Sequence, residues 1–486
     1  MSQGVARRGG KIGSPEDMLK MLSAAGLKER IFFTLGIIAL YRIGVHIPIP
    51  GVDPSAFMRH PELAQSLLGM IDLFTGGALN KLSIFSMGIG PYITASIIMQ
   101  LMSVVIPKLE EMQKHSGEQG RKQLQQVTRV ATVVLAGFQS FMLAKLLTNI
   151  HNPDVVITPG IGFLINTTVI LTASAVFIMW LGELITERGV GNGASMLIFL
   201  GIASRLPVMI KNTYEAVQTG QSPMWGVVVL VLTFLALIAL IVCLQQGVRK
   251  IMVLGARRNV GRQVFAAPDD YLYLPVNPSG VMAIIFASSL LMFPTTVMSF
   301  FGQRNANPGQ AIVDILKTIP YIGTYFDALS KHPVALSVWE FIGQETTFMF
   351  SYAHWEHSLV YFLLILFFAF FYASIVLPVR DMAENLRRSG RAIQGIRPGR
   401  PTAEFLEKLL NRLIFIGASA IAIIAIVPIH VEQATYVQTL QGLGSTSLII
   451  LVGVAIDTQR QILTHALSAR YQARGLFRNQ SEKKEI

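Results

Sequence analysis

The residues whose spacing best fits metal binding are two histidines and a glutamate at the start of an apolar run: His354, Glu356 and His357. Two histidines three residues apart can share one face of a helix and hold a metal ion there. They flank Trp355, however, and tryptophan at the start of an apolar run is typical of the aromatic belt at a membrane–water interface. We therefore interpret these residues as an interface segment and predict no metal site.

A glycine-rich run, ERGVGNGAS from Glu187 to Ser195, resembles a phosphate-binding loop in composition alone. Such a loop follows a strand and ends in a lysine followed by serine or threonine, and this run has neither feature. It fits better as the connection between two membrane helices, because glycines favour tight turns. No nucleophile with a partner histidine and acid can be assigned from spacing. We predict no catalytic residue and no cofactor, so the chain is not expected to be an enzyme.

Ionisable residues in the middle of apolar runs would indicate an ion-coupled transporter. Glu183, Asp457 and Arg42 come closest, and all three fall at predicted ends of such runs. A pathway between the runs would then be apolar at its narrowest point, and apolar constrictions exclude water without recognising one solute. A secondary transporter with broken helices, and a structural scaffold for other membrane subunits, remain the alternative functions.

The elements that must position these residues are membrane helices. Of the 486 residues, 52% are hydrophobic and 14% are charged, against about 25% charged in soluble domains. The single cysteine, Cys243, excludes an internal disulfide framework. We predict an all-α integral membrane protein with ten transmembrane helices. The apolar runs are 31–47, 84–106, 127–147, 161–182, 194–210, 225–244, 281–301, 358–378, 413–429 and 443–456.

Lysine and arginine alternate between the loops as the positive-inside rule requires. The loops at 148–160 and 430–442 contain neither residue, whereas those at 245–275 and 379–410 are rich in arginine. This alternation, with the basic residues before the first run, predicts that both termini are cytoplasmic, which requires an even number of crossings. The two arginine-rich loops are longer than orientation requires. Their length and charge favour docking to a polyanionic cytosolic partner such as ribosomal RNA.

The segment at residues 67–82 is too polar to lie against lipid, where its backbone and polar side chains would lack hydrogen-bond partners. The apolar run that follows is interrupted by Gly88, Gly90 and Pro91, so its helix should bend or begin there. Interrupted helices at membrane depth occur where they line a cavity or are buried in protein. We therefore expect this segment to lie beside a pathway through the membrane.

Six strings of the sequence strongly resemble the SecY family, the pore subunit of the bacterial-type Sec protein-translocation channel. The resemblance covers nearly the whole chain. It implies two inverted five-helix halves, 27–212 and 213–470, with a cytoplasmic N-terminal segment at 1–26 and a cytoplasmic tail at 471–486. It also implies a plug at about 67–82 and a lateral gate between spans two and three on one side and seven and eight on the other. The strings are IPIPGVD (47–53), TGGALNKLSIFSMGIGPYITASIIMQL (75–101), WLGELITERGVGNGASMLIF (180–199), NPSGVMAIIFASS (277–289), VRDMAENLRRSG (379–390) and GIRPG (395–399).

The same resemblance assigns roles to particular residues. The constriction of the pore would be a ring of aliphatic side chains, matched here by Ile89, Ile93, Ile198, Ile285 and Ile450. The plug would include Met70, Asp72, Phe74, Gly76, Gly77 and Leu79. Docking of cytoplasmic partners would use Arg258, Arg262 and Arg397. The sequence departs from the family at Gln263, where a second consecutive arginine is common.

The implied function is a passive channel that passes unfolded preproteins across the membrane and releases transmembrane segments into lipid through the lateral gate. The implied partners are the small membrane subunits SecE and SecG, the motor ATPase SecA, the ribosome with its RNA and nascent chain, signal sequences and membrane lipids. The implied location is a bacterial-type plasma membrane, or a thylakoid-type membrane, crossed several times by the chain.

Overall fold

The computed structural model is mainly helical in the residues that it describes. It describes residues 27–58, 75–114, 117–149, 155–220, 222–255, 258–260, 263–265, 270–301, 355–435, 437 and 445–482. The predicted all-α membrane architecture is confirmed, since each of the ten apolar runs falls on a helix. The helices are α1 (Leu27–Gly44), α2 (Pro54–Met58), α3 (Gly90–Val105), α4 (Pro107–Lys114), α5 (Gly117–Asn149), α6 (Ile161–Arg188), α7 (Gly193–Gln218), α8 (Met224–Gln246), α9 (Met282–Phe301), α10 (Trp355–Val376), α11 (Val379–Arg388), α12 (Arg400–Thr435) and α13 (Ser445–Glu482).

Seven helices of the described part of the chain are long and apolar enough to cross a membrane: α5, α6, α7, α8, α10, α12 and α13. Helix α3 and the first part of α9 (Met282–Leu291) are shorter apolar helices, and α1 has 18 residues. Helix α8 shows why lipid must cover this fold. Trp225, Leu232 and Leu235 are all more than half exposed on it, and apolar side chains in that number would be unfavourable in water.

The predicted interruption before the second membrane helix is confirmed. Helix α3 begins at Gly90, and Pro91 occupies its first turn, where a missing N–H does no harm. Residues 84–89 form turns and not helix, so the predicted run at 84–106 began too early. The reason is a tertiary contact. The Ile84 N–H donates to the Ile47 carbonyl at 2.9 Å, which holds this backbone away from a helical path.

For description, we divide the helices along the chain into α1–α7 and α8–α13, which we call the N-terminal and C-terminal halves. Helix α9 packs against α3 and α5 across the two halves, and α13 packs against α7 and α1. Within the C-terminal half, α10 packs against α9 and α12. A single large cluster of buried apolar residues extends through both halves, so the hydrophobic core is shared between them.

The sequence analysis missed a small antiparallel sheet formed by the two arginine-rich loops. Strand β1 (Val248–Gly255) pairs with β4 (Asp270–Pro275) on one side and with β5 (Arg391–Ile393) on the other. A separate hairpin pairs β2 (Arg258–Val260) with β3 (Gln263–Phe265). Alternation of tyrosine and leucine at residues 271–274 is the period-two signal that would have predicted β4. The sheet joins the two loops into one unit.

Candidate functional site

The five isoleucines of the predicted ring come from four helices and from both halves of the molecule. Ile89 immediately precedes α3 and Ile93 lies in its first turn, where the Ile93 N–H donates to the Ile89 carbonyl at 3.1 Å. Ile198 lies on α7, Ile285 on α9 and Ile450 on α13. Two of these helices belong to each half.

All five isoleucines are buried and belong to the one cluster that spans both halves. Glycine at position 182 allows α6 to approach them closely. A Cβ built on Gly182 would come within 3.3 Å of Ile89 Cδ1 and 3.6 Å of Leu197 Cδ1. Helix α3 contacts α9, α9 contacts α13, and α13 contacts α7. Helix α6 contacts both α7 and α3. The helices that carry the five isoleucines therefore contact one another in sequence.

The described part of the predicted plug lies against the N-terminal half. Leu79 is buried in a second apolar cluster of that half, and Gly76 and Gly77 adopt φ angles of +72° and +90°. The Ser204 hydroxyl donates to the Gly76 carbonyl at 3.4 Å, and the Tyr41 hydroxyl donates to the Thr75 carbonyl at 3.2 Å. Sequence reasoning missed both hydroxyl donors. Met70, Asp72 and Phe74 lie outside the described residues.

Gly76 sits where the plug segment comes closest to α7. A Cβ built on it would lie 2.9 Å from the Gly201 Cα and 3.0 Å from the Ser204 hydroxyl oxygen. Because real Cβ atoms essentially never approach a backbone atom that closely, only glycine fits this position. Gly77 has an equally unusual backbone conformation, but a Cβ built there meets nothing within 4 Å. The two neighbouring glycines therefore differ in the space available for a Cβ atom.

Of the three predicted docking arginines, Arg397 is the best defined. It is exposed, and it lies in a turn between β5 and α12 that contains Gly395 and Gly399, at φ +81° and +107°. Its carbonyl accepts a hydrogen bond from the buried Thr402 hydroxyl at 2.8 Å. Arg258 is the first residue of β2, and Arg262 lies outside the described residues. The backbone of Arg397 is anchored while its guanidinium faces outwards.

A buried ion pair fastens α5 to α6, and the sequence analysis did not predict it. The Glu183 side chain is 8% exposed, and it accepts hydrogen bonds from Arg129 Nε at 2.9 Å and from Gln125 Nε2 at 3.0 Å. Arg129 Nη2 lies 2.8 Å from the other carboxylate oxygen, so the contact is bidentate. The prediction placed Glu183 at the end of an apolar run. Helix α6 in fact continues to Arg188, which leaves the carboxylate inside the helix.

The sequence analysis also undercounted ionisable residues within the apolar runs. Arg129 and Lys145 lie in the run at 127–147, and Arg205 lies in the run at 194–210. Their charges have different environments, since Lys145 is exposed and Arg205 is half-buried. Within the described part of the chain, the buried side chains that can carry a charge are Glu183, His357 and Glu432. The five ring isoleucines remain an apolar group.

Replacing Arg129 with methionine is expected to lower the unfolding free energy by about 3 kcal/mol, because it leaves the buried Glu183 carboxylate without its cationic partner. Thermal unfolding in detergent, followed by circular dichroism, measures the loss. Lys211→Met is the matched control. Its partner Glu215 lies 3.6 Å away and is 59% exposed, so we expect a change of about 0.5 kcal/mol or less. Equal shifts in the two variants would contradict the structural role of the buried pair.

The histidine-containing segment at the start of α10 is only partly described, because His354 lies outside the described residues. His357 is buried and stacks on Tyr361, with ring centroids 6.2 Å apart. Trp355 is exposed at the first position of the helix, as expected for an interface residue. No group of three or more histidine, cysteine or acidic side chains able to hold a metal ion occurs in the parts of the chain that the structure describes.

Comparison with known proteins decides which family has this arrangement. The SecY family model matches residues 83–459, which is more than half of the chain. The chain belongs to the SecY family. Protein translocase subunit SecY of Synechococcus elongatus is 40% identical over 472 residues, which cover 96% of this chain and 99% of that protein. The resemblance predicted from the six strings is therefore confirmed.

Two solved structures have the same fold as this SecY-family chain. One was described in a study of how the plug domain of the SecY protein stabilises the closed state of the translocation channel. It has a TM-score of 0.59 and 15% identity, and the alignment covers 91% of this chain and 93% of that one. The other is canine Sec61 in a ribosome–channel complex from the endoplasmic reticulum, with a TM-score of 0.53, 15% identity and the same coverage. At this level of identity, the likeness shows the fold alone.

Proposed function

We propose that this chain is the central protein-conducting channel subunit of a Sec translocon. In this role it passes unfolded preproteins across the membrane and releases transmembrane segments into lipid. The observation that carries the proposal is that Ile89, Ile93, Ile198, Ile285 and Ile450, on four helices of a SecY-family fold, are all buried in the apolar cluster that both halves share. A narrow ring of aliphatic side chains excludes water and ions but has no groups that would select one solute. It suits an extended polypeptide of any sequence.

The lateral gate is proposed to lie between α3 and α5 on one side and α9 and α10 on the other. The packing of α9 against α3 and α5 supports this position, because these contacts join the two halves and buried residues of α3 and α9 belong to the same apolar cluster. A signal sequence that inserts there would exchange water for lipid. Each of its apolar residues stabilises insertion by about 0.3–0.6 kcal/mol. A run of ten or more can therefore offset the several kcal/mol that opening requires.

The segment at 67–82 is proposed to act as a plug that occludes the outer funnel at rest. The hydrogen bonds of Tyr41 and Ser204 to the backbone of Thr75 and Gly76 support this role, since they hold the middle of the segment against α1 and α7. These bonds use backbone carbonyls. Their strength should therefore depend on close approach of the backbone and not on the side chains of the plug.

Driving force is proposed to come from cytoplasmic partners, either a ribosome or the motor ATPase SecA, that dock on Arg258, Arg262 and Arg397. The exposed guanidinium of Arg397, on a turn with an anchored backbone, supports this assignment. SecE and SecG are proposed as the small membrane subunits. The proposed location is a plasma or thylakoid membrane with both termini cytoplasmic, and the proposed halves are 27–212 and 213–470. A passive channel of this kind needs no cofactor and no catalytic residue.

Reconstitution into proteoliposomes tests the proposed function. The chain is purified with its SecE and SecG subunits, and the vesicles are supplied with SecA, ATP and a radiolabelled unfolded preprotein. Protease-protected preprotein that depends on ATP is the expected result. Uptake of a small solute without preprotein import would favour the secondary transporter, and the absence of both activities would favour the scaffold. Either outcome would contradict the proposed channel function.

Replacing Gly76 with alanine is expected to raise the resting ion conductance several-fold, because the new Cβ would meet the Gly201 backbone at 2.9 Å and displace the plug segment. Single-channel recording in planar bilayers, without preprotein, measures the leak. Gly77→Ala is the matched control, since it carries the same backbone strain at φ +90° but meets no neighbouring atom within 4 Å. Equal leaks in the two variants would show that backbone strain, and not the contact with α7, is responsible.

A further inference from the structure

The turn between α6 and α7, Gly189 to Asn192, is held by side chains from two other helices. The Val190 N–H donates to the Thr34 hydroxyl of α1 at 3.1 Å. The Gly191 N–H donates to the Gln461 side-chain oxygen of α13 at 3.0 Å. Backbone N–H groups in a turn between helices cannot be satisfied within either helix, so these outside acceptors matter. The glycine-rich run, which was interpreted as a connection between α6 and α7, is therefore also a junction where α1 and α13 meet this turn.

The junction joins the two halves of the molecule. Thr34 belongs to the same half as the turn, whereas Gln461 belongs to the C-terminal half. Apolar contacts reinforce the second link, because Leu27, Val190 and Ala466 form a small buried cluster separate from the main core, with Ile462 and Leu463 packed against it. The Thr458 hydroxyl of α13 also lies 3.5 Å from the Met196 sulfur of α7. The halves are thus fastened to each other at this turn.

The turn has little freedom to follow α13 if the halves move apart. A Cβ built on Gly193 would lie 1.8 Å from the Gly182 carbonyl oxygen, which means that the start of α7 is packed directly on the backbone of α6. The Gly193 N–H also donates to the Thr186 hydroxyl of α6 at 2.9 Å. The turn is therefore fixed to the N-terminal half. A movement of α13 relative to that half must break the bond between Gly191 and Gln461.

We propose that Gln461 is a positioning residue that holds the two halves in the closed arrangement and so sets how strong a signal sequence must be to open the channel. The proposal rests on the proposed function. The apolar contact of α9 with α3 and α5 lies on other helices and is where a signal sequence would insert. The hydrogen bond between Gln461 and the turn must also break when the two halves separate, so it adds to the free energy of opening. Loss of one hydrogen bond present only in the closed state should favour opening about two- to tenfold.

The test compares two preproteins in proteoliposomes that contain the full complex. One carries an unmodified signal sequence and the other carries a signal with a shortened apolar core. Gln461→Met removes the amide and keeps the length of the side chain. We expect the rate for the weak signal to rise about two- to tenfold, as one lost hydrogen bond allows. The rate for the strong signal should change little. The ratio of the strong-signal rate to the weak-signal rate should therefore fall.

Three further variants separate this effect from a general loss of structure. Thr34→Val removes a hydrogen bond to the same turn but within one half, and it should leave the ratio of rates unchanged. Gln459→Met alters an exposed residue of α13 two positions away and should also leave the ratio unchanged. Gln461→Ala is a second test of the same contact, should the methionine pack poorly. Thermal unfolding of each variant in detergent identifies any that are destabilised.

The outcomes distinguish this inference from the proposed function. If the unmodified chain fails to translocate the preprotein with the strong signal, the proposed channel function is wrong. If it does translocate that preprotein but neither Gln461 variant changes the ratio of rates, the link is not a determinant of opening. A proportional fall in both rates would also overturn the inference, as would an equal change in the ratio with Thr34→Val.

Discussion

Replacing Arg397 with glutamate should reduce the rate of preprotein translocation by about 30-fold, which corresponds to the roughly 2 kcal/mol typical of an arginine at the centre of an interface. The reason is that its guanidinium is exposed on a turn whose backbone is fixed by Thr402, so a partner meets an arginine whose backbone is already in place. Abundance in the membrane should be unchanged, since no buried contact of the side chain is lost. ATP-dependent import into proteoliposomes measures the effect.

Two variants control for charge. Arg397→Lys keeps the charge but loses the planar fork that binds carboxylate or phosphate through two hydrogen bonds, so it should be intermediate in activity. Arg249→Glu makes the same change of charge at an exposed position of β1 and should have a small effect. If Arg249→Glu were as defective as Arg397→Glu, the total charge of the cytoplasmic face, and not the turn, would determine docking.

Replacing Ile89, Ile93 and Ile198 together with serine should raise the ion conductance of the resting channel about tenfold or more. Hydroxyl groups at an apolar constriction allow water to enter, and ions follow water. The remaining ring positions, Ile285 and Ile450, would then face a hydrated wall. Single-channel recording without preprotein measures the conductance, and the three-residue variant with valine should remain sealed because its ring stays apolar.

A second variant tests whether any loss of core packing would cause the same leak. Ile241, Ile365 and Ile414 are buried in the same cluster but lie on α8, α10 and α12, which carry none of the predicted ring positions. Serine at these three positions should destabilise the protein by several kcal/mol, as large-to-small core changes do. It should not raise the conductance of the folded fraction. An equal leak from both sets of replacements would contradict a ring at Ile89, Ile93 and Ile198.

Contacts within each half and contacts between the halves have different consequences for stability and for opening. The two halves share one apolar core, and the polar links across it are few in the described regions. The buried pair of Arg129 and Glu183 lies within the N-terminal half, where it stabilises that half without resisting separation. The bond between Gly191 and Gln461 crosses the halves. Replacing Gln461 is therefore expected to affect gating more than stability. Replacing Arg129 is expected to affect stability more than gating.

Local features of the chain were predictable because their causes are local. Ten apolar runs predicted ten helices, since the length of a run decides whether it can cross a bilayer. Pro91, flanked by glycine, predicted the start of α3 because proline lacks an N–H. The start of the same run at residue 84 was wrong. The backbone of residues 82–84 is bound to that of residues 47–49 through the Ile49 N–H and the Leu82 carbonyl, which lie 2.8 Å apart.

The site was predictable only in part. Resemblance named five isoleucines, but apolar periodicity alone could not separate Ile198 from its equally buried neighbour Ile202. The small sheet was missed because β5 pairs with β1, so that Ile393 meets Val253 from a separate loop. The arginine-rich composition of both loops was visible in the sequence. Their union into a single sheet was not.

By itself, the sequence determined that this chain crosses a membrane many times, and its family-specific strings predicted the family that comparison confirmed. Length, apolar composition and backbone breaks act over a few residues and can be read along the chain. The tertiary structure alone decided which residues meet across the two halves. Gly191 and Gln461 are 270 positions apart, and nothing near either residue predicts the other. Contacts of that kind depend on how whole helices pack, which no short stretch of sequence records.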